Sequence, residues 1–285
     1  MKALITGSNG QLGHALRACV PEGVTVVGRD VEHLDITDRA SVRAAMEEVR
    51  PGIVLNCAAY TAVDRAESDE EVAHRVNALA VGILSEEARA MGARFLHVST
   101  DFVFDGMASS PYAPDAEPNP LSVYGRTKLE GERLAGEDAL IVRTAWVYGP
   151  IGHNFVRTML RLMGALSKVR VVADQIGTPT YAPGLAAALW ALAWQGARGI
   201  HHYTDAGVAS WYDFAVAIQE EALAIGLLVD AVPVVPIATR DFPTPAVRPP
   251  YSVLDKRGTY AALGGPAPHW RVQLRTMLKE IQAHG

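Results

Sequence analysis

The strongest constraint on the fold lies at the start of the chain, where a short apolar run enters a glycine-rich turn. Residues 2–13 read KALITGSNGQLG, with glycines at positions 7, 10 and 13. Glycine permits a tight turn and lets the backbone approach a phosphate, while the N-terminus of the following helix offers amide donors. We therefore predict that Gly7, Gly10 and Gly13 bind the pyrophosphate of a dinucleotide, although their spacing is one residue off the usual fingerprint.

Short β-branched runs then alternate with longer helical patterns, which is typical of a parallel sheet covered by helices. The predicted strands are 2–7, 24–28, 53–59, 94–100 and 139–145, and the predicted helices are 10–18, 37–49 (with Thr37 as its cap), 70–91 and 185–194. The rhythm predicts an α/β fold, a doubly wound, Rossmann-like parallel sheet.

The regular alternation of strand and helix patterns ends after residue 150, and we divide the chain there. We predict a dinucleotide-binding domain over 1–150 and a smaller substrate-binding region over 151–285, partly interleaved with the first. Residues 238–255 are rich in proline and lack a helical period. Such segments usually lie over a site, so we expect a lid at the strand ends.

Composition excludes several classes of protein. The 285 residues are 49% hydrophobic and carry 26 basic and 31 acidic side chains, a net charge of −5. No basic run is present, so we expect no nucleic-acid partner. The apolar stretch 185–194 is too short to span a bilayer and no secretory leader is evident, so we expect a cytoplasmic protein without a membrane partner. Cys19 and Cys57 form no disulfide framework or metal motif.

Acidic residues after the second strand bear on the cofactor. Asp30 follows Gly10 by about 20 residues, where a carboxylate can bind the adenosine ribose of NADH. Arg29 beside it could instead hold the 2′-phosphate of NADPH, so the choice stays open. Asp35 is expected near the adenine.

Tyr124 and Lys128 share one face of a predicted helix, one turn apart. A nearby ammonium lowers the pKa of a phenol, which would make Tyr124 a matched proton donor to a ketone. Thr100 ends a strand at the edge where doubly wound sheets bind ligands, and its hydroxyl can hold the same carbonyl.

Together these motifs make the chain resemble the extended short-chain dehydrogenase/reductase family. Further likeness comes from segments 56–67, 99–106, 143–149, 154–160, 174–181 and 248–255. Within the family the resemblance is to reductases that turn dTDP-4-dehydro-β-L-rhamnose into dTDP-β-L-rhamnose with NADPH or NADH. It implies a nucleotide-sugar substrate and a monomer or homodimer.

The resemblance also assigns site residues. The implied catalytic residues are Thr100, Tyr124 and Lys128. The implied cofactor contacts are Gly10, Gln11, Leu12, Asp30, Asp35, Ile36, Ala59, Tyr60 and Thr61, and Lys128 also reaches the nicotinamide ribose. The implied substrate contacts are Asp101 and Trp146. We add Arg248, whose guanidinium suits a diphosphate. Some members form magnesium-linked dimers through acidic residues near the first helix, but this chain has His14 and Ala15 there, so no metal ligand is predicted.

Two alternatives remain open at this point. An epimerase or dehydratase of the same fold would return the hydride to the same sugar, but a dehydratase usually needs a second acid next to Asp101, where this chain has Phe102. A regulatory subunit would hold a dinucleotide and catalyse nothing, but such proteins often lack the Tyr or Lys.

Overall fold

A computed structural model describes residues 1–284. The strands in chain order are β1 (Lys2–Thr6), β2 (Thr25–Arg29), β3 (Ile53–Asn56), β4 (Arg94–Thr100), β5 (Leu140–Thr144), β6 (Val147–Tyr148), β7 (Val169–Val172), β8 (Ile176–Gly177), β9 (Thr180–Tyr181), β10 (Gly199–His202), β11 (Ala209–Ser210) and β12 (Val234–Ile237). The α-helices are α1 (Gln11–Ala18), α2 (Arg39–Val49), α3 (Val63–Ala66), α4 (Glu70–His74), α5 (Ala80–Ala90), α6 (Val123–Ala135), α7 (Phe155–Ala165), α8 (Ala182–Trp194), α9 (Trp211–Ala224), α10 (Arg257–Ala262) and α11 (Trp270–His284). A π-turn (Arg75–Leu79) joins α4 to α5, and 3₁₀ turns cover Asp101–Val103 and Thr239–Asp241.

The centre of the fold is a six-stranded parallel sheet in the order β10-β5-β4-β3-β1-β2. From β1 the chain moves first to β2 on one side and then to β3 on the other. This reversal makes the gap between β1 and β3 the switch point at which such sheets bind ligands. The predicted fold class is confirmed.

Both faces of the sheet are buried, which explains its continuous apolar strands. Along β1, Ala3 and Ile5 pack beneath α1 and α8, while Leu4 packs beneath α2 and α5 on the other face. Helix α8 is apolar all round, and Leu185 and Leu189 on it are fully buried. Truncating Leu189 to Ala should therefore cost about 2–5 kcal/mol.

The C-terminal half contributes to both parts of the fold. Helix α8 and strand β10 return to the central sheet, and β10 pairs with β5. Helices α7, α9 and α11 build a second core around Val156, Phe214 and Leu274, whereas Tyr260 of α10 packs against the first core. The two halves are interleaved in this way, while a domain boundary at residue 150 stays a prediction.

Several predicted bounds were wrong in informative ways. Strand β3 ends at Asn56 instead of residue 59, because the chain turns there to form the rim of a cavity. Helix α2 begins at Arg39 and is capped by Asp38, whose carboxylate accepts from Ala40 N. Thr37 does not cap it and donates to Asp35 instead.

Candidate active site

A cavity of about 900 Å³ opens at the carboxyl ends of β1, β3, β4 and β5. It lies at the switch point between β1 and β3, and its volume suits a large ligand. Sixteen of the predicted site residues line it: Gly7, Gly10, Gln11, Leu12, Gly13, Asp30, Asp35, Ile36, Ala59, Thr61, Thr100, Asp101, Tyr124, Lys128, Trp146 and Arg248.

The glycine loop forms a cradle that only glycine allows. Gly7 has a φ of +64°, and a Cβ there would lie 2.7 Å from the backbone nitrogen of Ala58. A Cβ on Gly13 would collide with the carbonyl oxygen of Gly7. The N-cap of α1 is Gly10, and no side chain bonds the first helical amides. These free amides at the positive end of the helix fit a dinucleotide pyrophosphate.

Gln11 and Asp30 help to hold the rim of this cradle. The Gln11 side chain donates to the carbonyl oxygen of His153 (3.1 Å) and accepts from Asn154 Nδ2 (3.0 Å). Asp30 accepts from Asn9 N at 3.0 Å. Arg29 also lines the cavity, but its guanidinium pairs with Glu48 at 2.7 Å.

One predicted cofactor contact does not line the cavity, and another is already hydrogen-bonded. Tyr60 does not line the cavity, because its ring packs against Ala66, Ala73 and Val123 and its hydroxyl donates to Asp69 (2.9 Å). Asp35 is on the cavity, but its carboxylate accepts from Thr37, which holds the pKa of Asp35 below its usual value.

Helix α6 places Tyr124 and Lys128 together at the floor of the cavity. Ser122 caps this helix by accepting from Gly125 N at 3.1 Å, so Tyr124 lies in the first turn. The Tyr124 ring packs edge-on against Phe102 with centroids 5.5 Å apart. Lys128, one turn later, is 1% exposed.

The expected lowering of the Tyr124 pKa is not what the structure shows. Burial, with a smaller contribution from the nearby Asp101 carboxylate, raises the pKa of this phenol to about 12, while a hydrogen bond with Thr100 acts in the opposite direction. Lys128 is not among the groups that shift it. The Lys128 amine instead lies beside His97 Nε2 (3.0 Å) and donates to the Val98 carbonyl (2.7 Å).

Thr100 and Asp101 lie directly beside the phenol, at the end of β4. Thr100 Oγ1 donates to Asp101 Oδ1 at 3.1 Å and accepts from Phe102 N at 3.2 Å. Burial raises the pKa of Asp101 to about 6, although hydrogen bonds with Ser252 and Thr100 limit the shift. Above this pH the carboxylate is charged and makes Tyr124 harder to ionise.

Trp146 lines the cavity together with Trp211, a residue that the sequence analysis did not select. Its ring stacks on Trp211, with centroids 3.6 Å apart and planes 9° from parallel. Trp146 has a φ of 47°, a strained value for a residue other than glycine. Trp211 begins α9, far along the chain, so only the fold brings it to the cavity.

Arg248 reaches the cavity from the proline-rich segment but is already paired. It donates to Asp64 Oδ1 at 2.9 Å and to Asp64 Oδ2 at 2.8 Å, and also bonds Thr244. This pair ties the proline-rich segment to helix α3, which contains Asp64. In the structure Arg248 is thus a fastening of that segment as well as part of the cavity wall.

Other sequence expectations concern metals and membranes. Within residues 1–284 no group of three His, Cys, Asp or Glu side chains is arranged to hold a metal ion. No helix in the same part of the chain is long and apolar enough to cross a membrane.

The fold and the site together define a class of protein. A glycine cradle at the switch point and a Tyr–Lys pair one helical turn apart are features of short-chain dehydrogenase/reductase folds, which use nicotinamide dinucleotides. The chain belongs to the family described as "RmlD substrate binding domain", which matches residues 1–283.

Individual relatives extend over nearly the whole chain. The chain is similar to a dTDP-4-dehydrorhamnose reductase of Aggregatibacter actinomycetemcomitans, with 41% identity over 99% of each chain. It is 45% identical to a probable dTDP-4,6-dihydroxy-2-methyloxan-3-one 4-ketoreductase of Streptomyces antibioticus, over 99% of this chain and 96% of the other. The crystal structure of the Bacillus anthracis dTDP-4-dehydrorhamnose reductase in complex with NADP matches with a TM-score of 0.91 and 35% identity, covering 98% of this chain and 99% of that one.

Proposed function

We propose that this protein reduces the C4 ketone of dTDP-4-dehydro-β-L-rhamnose to dTDP-β-L-rhamnose, the last step of dTDP-L-rhamnose synthesis, with NADPH or NADH. The observation that carries the proposal is the meeting of the Tyr124 phenol and the Thr100 hydroxyl over a dinucleotide-sized cavity. The names and full-length similarity of the relatives support this substrate.

The chemistry assigned to these residues is proton donation with orientation. A bound reduced dinucleotide supplies the hydride for the carbonyl carbon. Tyr124 donates its phenolic proton to the carbonyl oxygen, and Thr100 bonds the same oxygen as negative charge develops there. A phenol pKa of about 12 keeps Tyr124 protonated at neutral pH, which is the form a reduction needs. An alkoxide is a still stronger base, so the transfer is favourable without a lowered pKa.

The remaining cavity residues are proposed to divide between cofactor and sugar nucleotide. The amides of Gln11 and Leu12 at the start of α1 would hold the pyrophosphate, and Asp30 the adenosine ribose. The stacked Trp146 and Trp211 offer an apolar wall for a sugar face, because flat aromatic rings suit such surfaces.

Three further proposals concern the location of the protein, its assembly and magnesium. We place the protein in the cytoplasm, where nucleotide sugars are made. We propose a monomer or homodimer without nucleic-acid partners. None of the steps assigned here uses magnesium.

The decisive experiment combines the purified protein with dTDP-4-dehydrorhamnose and either NADPH or NADH. We expect stoichiometric loss of the reduced nicotinamide and formation of dTDP-rhamnose, identified by NMR. A bound cofactor that is never consumed would instead indicate an epimerase, and no turnover with either cofactor would contradict the proposal. Parallel assays with other dTDP-linked ketosugars test the substrate, since one relative is named for a different ketone.

A further inference from the structure

A row of buried polar side chains runs across the sheet beneath Lys128. Thr6, Asn56 and His97 are neighbours on β1, β3 and β4, in register with one another. All three are at most 1% exposed. Asn56 Nδ2 lies 3.0 Å from His97 Nδ1, and His97 Nε2 lies 3.0 Å from Lys128 Nζ. The row therefore connects the floor of the glycine cradle to the proposed catalytic lysine.

The orientation of the Asn56 amide is fixed at the cradle end of the row. Its Oδ1 lies 3.2 Å from the backbone nitrogen of Ala58 and 2.6 Å from Thr6 Oγ1. A backbone N–H can only donate, so the atom facing Ala58 must be the oxygen. The amide nitrogen then faces His97 and donates to its Nδ1.

This orientation determines the tautomer of His97, which we assign from the hydrogen-bond network. Burial holds the pKa of His97 well below its usual value, so the ring is neutral. A neutral imidazole carries one proton, and a nitrogen that accepts cannot carry it. Since Nδ1 accepts from Asn56, the proton lies on Nε2, which points at the Lys128 amine.

An Nε2–H directed at Lys128 Nζ requires a lone pair on that nitrogen, and an ammonium has none. We propose that Asn56 and His97 act as positioning residues that stabilise the neutral amine form of Lys128 in the ligand-free protein. The amine accepts from His97 Nε2 and donates to the Val98 carbonyl oxygen at 2.7 Å.

The charged groups around Lys128 agree with a neutral amine. The carboxylate of Glu132 favours the charged form of Lys128, but both of its oxygens bond the Arg143 guanidinium, at 2.9 and 2.7 Å, and Ser99 also donates to it. The Cys57 thiol is neutral, because burial raises its pKa to about 12. Burial lowers the pKa of Lys128 to about 8, with the Glu132 charge opposing the shift.

Only one consequence of this inference rests on the proposed function, namely the effect of a dinucleotide bound in the cavity. An anionic dinucleotide in the cavity favours the ammonium form of Lys128 by Coulomb attraction. Binding of the cofactor should then take up a proton when the pH is above about 8, the pKa of Lys128. The protonation state itself belongs to the ligand-free protein and does not depend on turnover.

The direct test is the tautomer of His97 in the unliganded wild-type protein at a pH above the Lys128 pKa of about 8. Two-bond ¹⁵N–¹H correlations of labelled histidine distinguish Nε2–H from Nδ1–H, and the His97→Gln variant assigns the signal. We expect the Nε2–H form. An Nδ1–H tautomer or a doubly protonated ring would overturn the proposal, and no substitution is needed to see it.

A second test reads the lysine. The chain has only five lysines, so ¹³Cε-labelled lysine gives few signals, and the one missing in Lys128→Met is assigned at once. We expect its midpoint near 8 in the ligand-free protein. A midpoint at the ordinary value of about 10.4 would contradict the neutral amine.

The near-isosteric variant Asn56→Asp should reverse the arrangement. Its carboxylate still accepts from Ala58 and Thr6 but also accepts from His97 Nδ1, so the tautomer changes to Nδ1–H. The Lys128 midpoint should then rise by about one pH unit or more. Ser85→Ala, which removes a buried hydrogen bond to Ala135 on the far side of α6, is the control for general destabilisation and should leave both readings unchanged. An unchanged tautomer in folded Asn56→Asp would refute the inference.

Discussion

At the scale of single residues, the proposed proton donation depends on the Tyr124 hydroxyl and on little else of that side chain. The ring packs against Phe102, and this contact survives replacement by phenylalanine. Tyr124→Phe should therefore fold normally and bind NADPH nearly as well as wild type, while kcat falls about 10²–10⁴-fold, the usual range for loss of a general acid.

Steady-state kinetics and cofactor titration by fluorescence check this expectation. Thermal unfolding of the same samples is the control for folding. Turnover of the variant close to that of wild type would remove Tyr124 from the proton-donor role.

The sequence could place this residue but not set its acidity. Helical spacing predicted that Tyr124 and Lys128 share a face, and the strand end predicted Thr100 beside them. The pKa of Tyr124 depends on burial, and the direction of the Lys128 amine depends on His97, which a pattern of residue types does not contain. A polar His inside a buried strand was the only available signal for that partner.

At the scale of elements, the start of α6 determines where the phenol lies. Ser122 is buried and caps this helix by accepting from Gly125 N, while the Glu67 carboxylate accepts from Val123 N. Ser122→Ala should lower the free energy of unfolding by about 1 kcal/mol and also lower kcat, because Tyr124 is in the first turn.

Denaturant unfolding and kcat are measured on the same preparations. Asp38→Ala removes the cap of α2 and is the matched control, since it should lose similar stability with little effect on kcat. Equal kcat values for Ser122→Ala and wild type would show that the cap does not position Tyr124.

The proline-rich segment is a second element whose position depends on one contact. The Arg248 hydrogen bonds hold the pKa of Asp64 below its usual value, so the pair is present above the unfolded pKa of Asp64 and is lost as the pH falls through its lowered value. Asp64→Asn should loosen this segment at neutral pH.

Hydrogen exchange of residues 238–250 measures this directly, and we expect faster exchange in the variant. Asp138→Asn breaks an exposed pair with Arg198 and should change nothing there. Equal exchange in Asp64→Asn and wild type would contradict the fastening role.

The periodicity of the sequence predicted which segments form helices and strands, whereas tertiary contacts determine where these elements begin and end. The predicted helix over 70–91 exists but contains a π-turn, which turns Asn77 so that its amide bonds both backbone groups of Tyr60. That bond directs the Tyr60 ring away from the cavity. Helical periodicity does not predict such a turn. The sequence analysis therefore placed Tyr60 among the cofactor contacts, whereas in the structure Tyr60 does not line the cavity.

At the scale of the whole molecule, a buried acid outside the cavity should govern stability against pH. Asp205 follows β10, is fully buried and accepts from Tyr181 N, and burial raises its pKa to about 8. A raised acid pKa contributes stability below the unfolded pKa and loses it as the pH rises to the folded value. Wild-type stability should therefore fall relative to Asp205→Asn between about pH 4 and 8.

The slope of the difference should approach roughly 1.4 kcal/mol per pH unit, one proton's worth. Chemical unfolding of both proteins at several pH values tests it. Asn can still accept from Tyr181 N, so the variant keeps the contact. Parallel curves would show that Asp205 ionises normally.

The interleaving of the chain is also a property of the whole molecule that the sequence indicated only in outline. The apolar stretch 185–194 predicted a buried helix, and α8 is one. That β10 would pair with β5, and that Trp211 would meet Trp146, depends on contacts between distant segments. Sequence periodicity carries no information about such pairings.

The central claim is a net transfer of hydride to the sugar ketone, and deuterium tracing tests it most directly. The protein is given dTDP-4-dehydrorhamnose and reduced nicotinamide in which both hydrogens of the reactive ring carbon are deuterium. We predict deuterium at C4 of the dTDP-rhamnose product, with one oxidised cofactor per product. Unlabelled product, or label that returns to the cofactor without net oxidation, would contradict the account.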